Sequence, residues 1–298
     1  MNQRLPDLLQ TYLRYHRVEG STADTLIFYR KELGLFIRHL EAQGHSLLPQ
    51  DVTAFDMMAY MEAMRERGNK PRTVRSRLQA VKTMFNWAKQ WELVPENPVK
   101  QIKPPRIPKR PKPFMSEADF QKLLDICPLA TLVGARRQAM LWLMVTTGIR
   151  RRELKMLTRE DLEWDRGLLR IIHGKGQKQR RVAFVLEAQR VMLRYLNQRR
   201  DSLPALWITE EGTPLGYNGI GQDLARLRAR AGVDVPDGCH ILRRTFAVNA
   251  MRQQVPLPYV QAAMGHSTPH MVNLYVSWME QEYEAAAEQI RNIKPFGG

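Results

Sequence analysis

The chain has 298 residues, 44% of them hydrophobic and 26% charged, which fits a folded protein of about two domains and argues against a disordered one. It has no run of ~18 apolar residues, which argues against a membrane span, and its two cysteines form no disulfide framework or spaced ligand pair and favour a reducing cytosol. The formal net charge of +16 favours nucleic acid as the partner.

The first 98 residues predict four amphipathic helices, because apolar residues recur there every three or four positions and no strand alternation appears. The third helix is expected to start at Asp51 or Thr53, with Phe55, Met58 and Met61 on its apolar face. Two prolines near position 98 end the unit. A small helical bundle is therefore expected over residues 1–98.

The turn into the fourth helix is strongly basic, with Glu66 as the one opposing charge among Arg65, Arg67, Lys70, Arg72, Arg75 and Arg77. Arginine has a planar fork of donors that suits phosphate oxygens and guanine edges. A solvated helix face is the alternative interpretation. We take Arg72 and Arg75 as the candidate DNA contacts of this surface.

Residues 99–114 form a basic, proline-rich linker that includes the run KQIKPPRIPKRPKP. Its five prolines exclude a helix and favour an extended, semi-rigid segment. Six basic residues and no acidic residue occur in 99–113. A plain spacer remains possible, but a stiff cationic strap suits a polyanion between two domains, with Lys109 and Arg110 as candidate contacts.

Residues 115–298 are predicted to be mostly helical with one small sheet. Ser116 opens a helix, and a long apolar helix runs from 131 to 147. Strand-like runs at 168–172 and 181–185 flank a basic, glycine-containing hairpin. Further helices are expected at 187–200, 219–230, 243–254 and 258–264.

The sequence Thr-Gly-Ile-Arg-Arg-Arg-Glu-Leu spans the end of the long apolar helix, which Gly148 terminates, and contains four charged residues. Arg150 and Glu153 lie three positions apart and share a helix face. Taken alone, this spacing indicates an ordinary surface ion pair. Likewise, the basic hairpin tip alone is a solvated turn.

Four motifs occur in order over residues 147–275, and together they resemble the tyrosine recombinases, or phage-type integrases. They are Thr-Gly-Ile-Arg-Arg-Arg-Glu-Leu, the hairpin Gly-Lys-Gly-x-Lys-x-Arg, His-x-Leu-Arg, and Gly-His-Ser with a tyrosine nine residues later. The layout is most similar to the compact Xer-type recombinases. Arg244 departs from the pattern, since many members carry histidine there.

The resemblance assigns a role to each motif position. Tyr275 matches the nucleophile that attacks a DNA phosphodiester and forms a 3′-phosphotyrosine. Arginines stabilise the charge that gathers on the phosphate, histidines donate hydrogen bonds and handle protons, and a hairpin lysine protonates the leaving 5′ oxygen. The implied catalytic residues are Arg150, Lys175, His240, Arg243, His266 and Tyr275, and Glu153 is an orienting partner of Arg150.

The resemblance also implies an architecture and partners. An N-terminal helical domain and a catalytic domain (115–298) would form a C-shaped clamp on DNA, as a cytoplasmic, nucleoid-associated tetramer at inverted-repeat core sites. A paralogous recombinase or accessory protein could join it. The helical tail from Met279 to Ile293 would pack on its own domain or dock on a neighbouring protomer. No metal or cofactor is implied.

Two other functions remain open from the sequence. A type IB topoisomerase-like enzyme shares much of this chemistry but relaxes DNA without site-specific exchange. A catalytically silent DNA-binding protein would bind without cutting, although all six candidate catalytic positions are filled.

Overall fold

The structure is a computed structural model that describes residues 3–107, 113–172, 179–235 and 238–265. Contacts divide the chain into two compact units, Met1–Lys109 and Arg110–Gly298. Each unit has a hydrophobic core of its own. The domain boundaries expected at residues 98 and 115 stay predictions. Within the described part of the chain, no helix combines the length and the hydropathy needed to cross a bilayer.

Four helices form the first unit: α1 (Leu5–Val18), α2 (Ala23–Ala42), α3 (Ala54–Glu66) and α4 (Pro71–Gln90). Threonines cap two of them, because the side chains of Thr22 and Thr53 accept hydrogen bonds from the first-turn backbone N–H groups of α2 and α3. Aromatic side chains fill the core, among them Tyr12 and Phe85, which are fully buried. The predicted helical bundle is confirmed.

The predicted apolar face of α3 is wrong at two of its three positions. Phe55 is 77% exposed and Met58 is 46% exposed, whereas Met61 is buried. The buried face consists of Met57, Tyr60, Met61 and Met64. Helical spacing fits both faces, and the structure buries the one that places the ring of Tyr60 5.4 Å from that of Phe36.

The second unit contains seven described helices and a three-stranded sheet. They are α5 (Glu117–Asp125), α6 (Leu132–Thr147), α7 (Arg151–Met156), β1 (Leu162–Glu163), β2 (Leu168–Ile171), β3 (Arg180–Ala183), α8 (Leu186–Asn197), α9 (Tyr217–Arg230), α10 (Cys239–Arg252) and α11 (Leu257–Met264). The strands pair antiparallel in the order β1-β2-β3, with Leu169 opposite Val182. The mainly helical class with a small antiparallel sheet is therefore confirmed.

Helix α6 lies at the centre of the second unit, in contact with α8 and α10. Thr131 caps its start, and its apolar residues are buried on most sides, as the sequence predicted. Trp207 is fully buried beside this core and donates a hydrogen bond from its indole Nε1 to the Leu154 carbonyl at 2.7 Å. The Trp207 bond ties α7, which carries part of the charged motif, to the second core.

Helix α10 starts at Cys239, four residues before the start predicted at Arg243. Cys239, Ile241 and Leu242 are all buried in the second core, so packing holds this extra turn in a helical conformation. As a result, His240 and Arg243 lie in the same helix, one turn apart.

Candidate active site

The loop after α6 places the first arginine. Gly148 ends α6 with φ of 61°, and a Cβ atom there would lie 2.5 Å from the Phe246 ring, so both conformation and space require glycine. The Thr147 hydroxyl accepts a hydrogen bond from the Ile149 backbone N–H at 3.2 Å. This rigid turn leads directly to Arg150, the residue that precedes α7.

Glu153 holds Arg150 by two hydrogen bonds. The Arg150 backbone N–H donates to Glu153 Oε2 at 2.9 Å, and its guanidinium donates to Oε1 at 2.8 Å. The Glu153 side chain is only 2% exposed, while that of Arg150 is 28% exposed. The pair is therefore more than the surface ion pair that its spacing alone suggested, because its acid is buried and its arginine reaches solvent.

A second arginine, Arg180 at the start of β3, shares the same carboxylate. Its guanidinium donates to Glu153 Oε1 at 3.0 Å and to Oε2 at 2.8 Å. Burial alone would raise the pKa of Glu153, but the hydrogen bonds and charges of Arg180 and then Arg150 hold that pKa below its usual value. Glu153 is thus an anion fixed between two cations.

Three arginines meet the carboxyl end of α11. Arg180 donates from Nε to the Ala263 carbonyl at 2.7 Å, Arg243 donates to the Met264 carbonyl at 2.6 Å, and Arg150 donates to the Gly265 carbonyl at 2.8 Å. The last carbonyls of a helix lack partners within the helix and carry its negative dipole end, which favours cations there. Arg150 and Arg243 are consequently brought to the same turn.

Gly265 is the residue that lets these cations approach so closely. It ends α11 with φ of 61°, and a Cβ atom there would lie 2.8 Å from Arg180 Nη1 and 3.3 Å from Arg150 Nη1. The glycine of the Gly-His-Ser motif is therefore required by the backbone and by the guanidiniums beside it. His266 follows it directly in the sequence.

Helix α10 supplies the second motif arginine. Arg243 is 6% exposed and also donates to the Gly148 carbonyl, so it connects the end of α11 to the turn before Arg150. His240 lies one turn earlier in α10 and is exposed. A buried arginine and an exposed imidazole on one helix can approach one phosphate group from the same side.

Three of the six predicted catalytic residues, Lys175, His266 and Tyr275, lie outside the described residues. So do the candidate linker contacts Lys109 and Arg110 and the C-terminal tail. The structure brings together Arg150, Arg243 and the supporting Glu153. It places His240 on the helix that carries Arg243.

The candidate DNA contacts of the first unit lie near the start of α4. Arg72 and Arg75 are exposed. Arg77 in the same basic run behaves differently, because its side chain is half-buried and donates to Glu32 at 2.7 Å. The solvated basic surface is therefore smaller than the sequence run, and Arg77 acts inside the unit.

Sequence reasoning missed Arg180. Its signal was present, because it is the last residue of the hairpin motif Gly-Lys-Gly-x-Lys-x-Arg. Among the described residues, no group of three or more His, Cys, Asp or Glu side chains could hold a metal ion. The donors that converge in this site are cations, which suit an anionic group such as a phosphate.

Comparisons with known proteins agree with this geometry. The model of the phage integrase family matches residues 113–282, and the model of the phage integrase N-terminal SAM-like domain matches residues 9–92. The chain is 30% identical over 288 residues to tyrosine recombinase XerD of Ralstonia nicotianae, covering 92% of this chain and 88% of that protein. It is 28% identical to tyrosine recombinase XerC of Bacillus pumilus, over 90% of each protein.

Two solved structures share the fold. The Tn1549 transposon integrase in complex with a circular intermediate DNA has a TM-score of 0.76 at 19% identity, over 90% of this chain and 94% of that one. A lambda integrase tetramer bound to a Holliday junction has a TM-score of 0.73 at 18% identity, over 89% and 78% of the two chains. With its two matched domains, its cationic site and these relatives, the chain belongs to the phage integrase family, as a tyrosine recombinase of the Xer type that carries out site-specific DNA recombination.

Proposed function

We propose that this recombinase cuts and rejoins DNA through Tyr275, with Arg150 and Arg243 binding the phosphate that is attacked. The observation that carries the proposal is the convergence of both arginines on the Met264 and Gly265 carbonyls, immediately before His266 in the chain. Guanidinium groups stay protonated at any working pH, so they suit a transition state that gains negative charge.

The cutting step exchanges one phosphoester bond for another and accounts for every proton. The Tyr275 hydroxyl oxygen attacks the phosphorus, its proton passes to a nearby base, and the bond from phosphorus to the 5′ oxygen breaks. Lys175 gives its proton to that leaving oxygen, which departs as a 5′ hydroxyl. His240 and His266 donate hydrogen bonds to the phosphate and handle the tyrosine proton. The reverse reaction by a 5′ hydroxyl rejoins a strand, so no nucleotide cofactor is consumed.

The DNA partner and assembly follow from the same proposal. The substrate is double-stranded DNA with inverted-repeat core sites, bound by four protomers, since strand exchange joins two duplexes with one enzyme at each cut. The fold that this chain shares with the lambda integrase tetramer supports this assembly. Cell fractionation with the nucleoid would test the proposed cytoplasmic, DNA-associated location. Nothing among the relatives favours the topoisomerase-like alternative.

The test uses DNA sites that are selected from a random library by their binding to the full chain. Each selected site is then nicked next to the position where the enzyme is expected to cut. Wild-type protein is expected to form a covalent complex that survives a denaturing gel, and Tyr275→Phe is expected to form none, since it lacks the attacking oxygen. Tyr259→Phe is the matched control, because that tyrosine is 70% exposed on α11. A covalent complex with Tyr275→Phe would refute the assignment.

The basic start of α4 and the linker are proposed to bind DNA phosphates. For Arg72→Gln and for Arg75→Gln, the slope of log affinity against log salt concentration is expected to become less steep by ~0.9. Each variant loses one phosphate contact, so its binding releases one counterion fewer. Lys109→Gln and Arg110→Gln are expected to do the same. Lys89→Gln is the control, because Lys89 pairs with Glu96 at the far end of α4. A slope unchanged in all four variants would contradict this surface.

A further inference from the structure

We propose that Arg180 is a positioning residue of the cleavage reaction, which fixes Glu153, and through it Arg150, against the carboxyl end of α11. This inference rests on the proposed function of Arg150. Arg180 itself is not proposed to touch the DNA. Its side chain is only 11% exposed, compared with 28% for Arg150, so it faces the interior of the site.

The Arg180 guanidinium uses its planar fork on two different segments. Its two terminal nitrogens donate to the two oxygens of Glu153, at 3.0 and 2.8 Å, and its Nε donates to the Ala263 carbonyl at 2.7 Å. A bidentate pair of this kind fixes the plane of the carboxylate as well as its distance. Arg180 therefore determines the orientation of Glu153 relative to α11.

The orientation of Glu153 in turn decides that of Arg150. Oε1 accepts from the Arg150 guanidinium, and Oε2 accepts from the Arg150 backbone N–H. The backbone N–H is a fixed anchor for Oε2, so a carboxylate that rotates about it moves Oε1, and the Arg150 guanidinium must follow Oε1 or lose its bond. Loss of Arg180 would remove two of the four described donors to Glu153 and leave the Arg150 side chain less fixed.

Arg180 also connects three motifs along the chain. It starts β3, five residues after Lys175, and it binds Glu153 of the α7 motif and Ala263, three residues before His266. A single side chain thus ties the base of the hairpin to the segments that lead to the other candidate catalytic groups. Arg180 can affect cleavage by two routes, one through Arg150 and one through the hairpin that contains Lys175. Its contacts to Glu153 favour the route through Arg150.

Arg181 offers a matched control in the same strand. Successive side chains of a strand point to opposite faces, and the Arg181 side chain is 56% exposed and pairs with Glu163 at 2.8 Å. Arg180→Gln and Arg181→Gln therefore remove the same charge from adjacent positions. Only the first removes a contact to Glu153.

The primary experiment measures covalent complex formation by the full chain on nicked sites under single-turnover conditions. Arg180→Gln is expected to slow cleavage by ~100-fold, the cost of displacing a catalytic group by about 1 Å, while DNA affinity stays within a few-fold of wild type. Arg180→Lys should recover part of the rate, because it keeps the charge but cannot bridge both Glu153 oxygens. Arg181→Gln should cleave like wild type. Equal cleavage rates for Arg180→Gln and wild type would overturn the inference.

Modified substrates separate the two routes. A sulfur in place of the 5′ bridging oxygen gives a leaving group that needs no acid, so it should restore cleavage by Lys175→Ala but not by Arg180→Gln. A methylphosphonate at the cut site has a neutral methyl group in place of one charged phosphate oxygen. The difference in cleavage rate between Arg180→Gln and wild type should therefore shrink by about tenfold or more. Rescue by sulfur, or an unchanged deficit on the methylphosphonate, would show that Arg180 does not act through Arg150.

A double variant distinguishes positioning from a merely buried charge. In the Arg180→Gln background, Glu153 is a buried carboxylate that has lost one of its two cationic partners. Replacing it by Gln removes that charge, so thermal stability should rise while cleavage stays low. Recovery of cleavage together with stability would assign Arg180 a purely structural role. The wild-type protein is the reference for the proposed function: if it forms no covalent complex, that function fails, whatever the variants do.

Discussion

Two buried carboxylates of the second unit each lie between two arginines, yet they serve different purposes. Asp223 of α9 binds Arg136 at 3.1 Å and Arg137 at 3.0 Å, both from α6. Glu153 binds Arg150 and Arg180 at similar distances. The two acids are equally inaccessible, with 3% and 2% of their surfaces exposed. The pairing chemistry is therefore the same in the two clusters.

The difference lies in what surrounds the arginines. Arg136 is 6% exposed and also donates to the Ile208 carbonyl, so the Asp223 cluster fastens α6 to α9 within the core. In the Glu153 cluster, Arg150 keeps 28% of its side chain exposed beside Arg243 and the end of α11. An ion cluster whose members join two packed helices holds those helices together, whereas one with a more exposed arginine beside other cations can direct a guanidinium toward a ligand.

The largest expected effect is on stability, from Asp223→Ala. Two guanidiniums would lose their shared buried partner, which is expected to lower the free energy of unfolding by ~3–5 kcal/mol. Urea unfolding measures this, and Glu163→Ala, which breaks the more exposed pair with Arg181, should cost only ~0–1 kcal/mol. Cleavage per folded molecule should stay close to wild type. A loss of stability as small as that of Glu163→Ala would show that the Asp223 cluster does not stabilise the fold.

The second prediction compares the more exposed arginine of each cluster. Arg150→Ala should lower the cleavage rate by ~100–1000-fold, since it removes a preorganised donor to the charged phosphate. Arg137→Ala, whose side chain is 19% exposed, should destabilise the protein without a comparable loss of cleavage by folded molecules. Single-turnover cleavage below the melting temperature of both variants separates these effects. Similar cleavage rates in the two variants would remove the distinction between the clusters.

The third prediction concerns stability in acid and has the smallest effect at neutral pH. Both the Asp223 cluster and the Glu153 cluster should contribute to it. Burial alone would raise the pKa of Asp223, but Arg137 and then Arg136 hold that pKa below its usual value, as Arg180 and Arg150 do for Glu153. A carboxyl with a lowered folded-state pKa contributes stability that is present above its unfolded pKa of ~4 and lost as the pH falls through the folded value.

Asp223→Asn and Glu153→Gln should therefore each flatten the decline of stability below pH ~4. Chemical unfolding at a series of pH values measures this decline. At neutral pH, only Glu153→Gln should also slow cleavage, since it loosens Arg150. A decline as steep as that of wild type in either variant would mean that its carboxylate is not held ionised by its arginines.

Much of the fold was predictable because its signals are local. Caps such as Thr22 and Thr53 bond to backbone groups three residues away, and apolar spacing identifies each helix. The rotation of α3 was not predictable, since Phe55 and Met58 fit the same spacing as the residues that are buried. Its outcome depends on aromatic packing between helices, which no single segment encodes.

The sequence by itself determined the composition of the site: the order of four motifs, the candidate residues and the turn at Gly148. Only the tertiary structure decided that Glu153 is buried and that Arg180 belongs to the same cluster. Arg180 and Ala263 are 83 residues apart, and Arg150 and Gly265 are 115 apart. Contacts at such separations form only when whole elements pack, so the spacing of residues in one motif cannot reveal them. The motifs therefore identified the arginines of the site, and the packing of β3, α7 and α11 decided which of these arginines share one carboxylate.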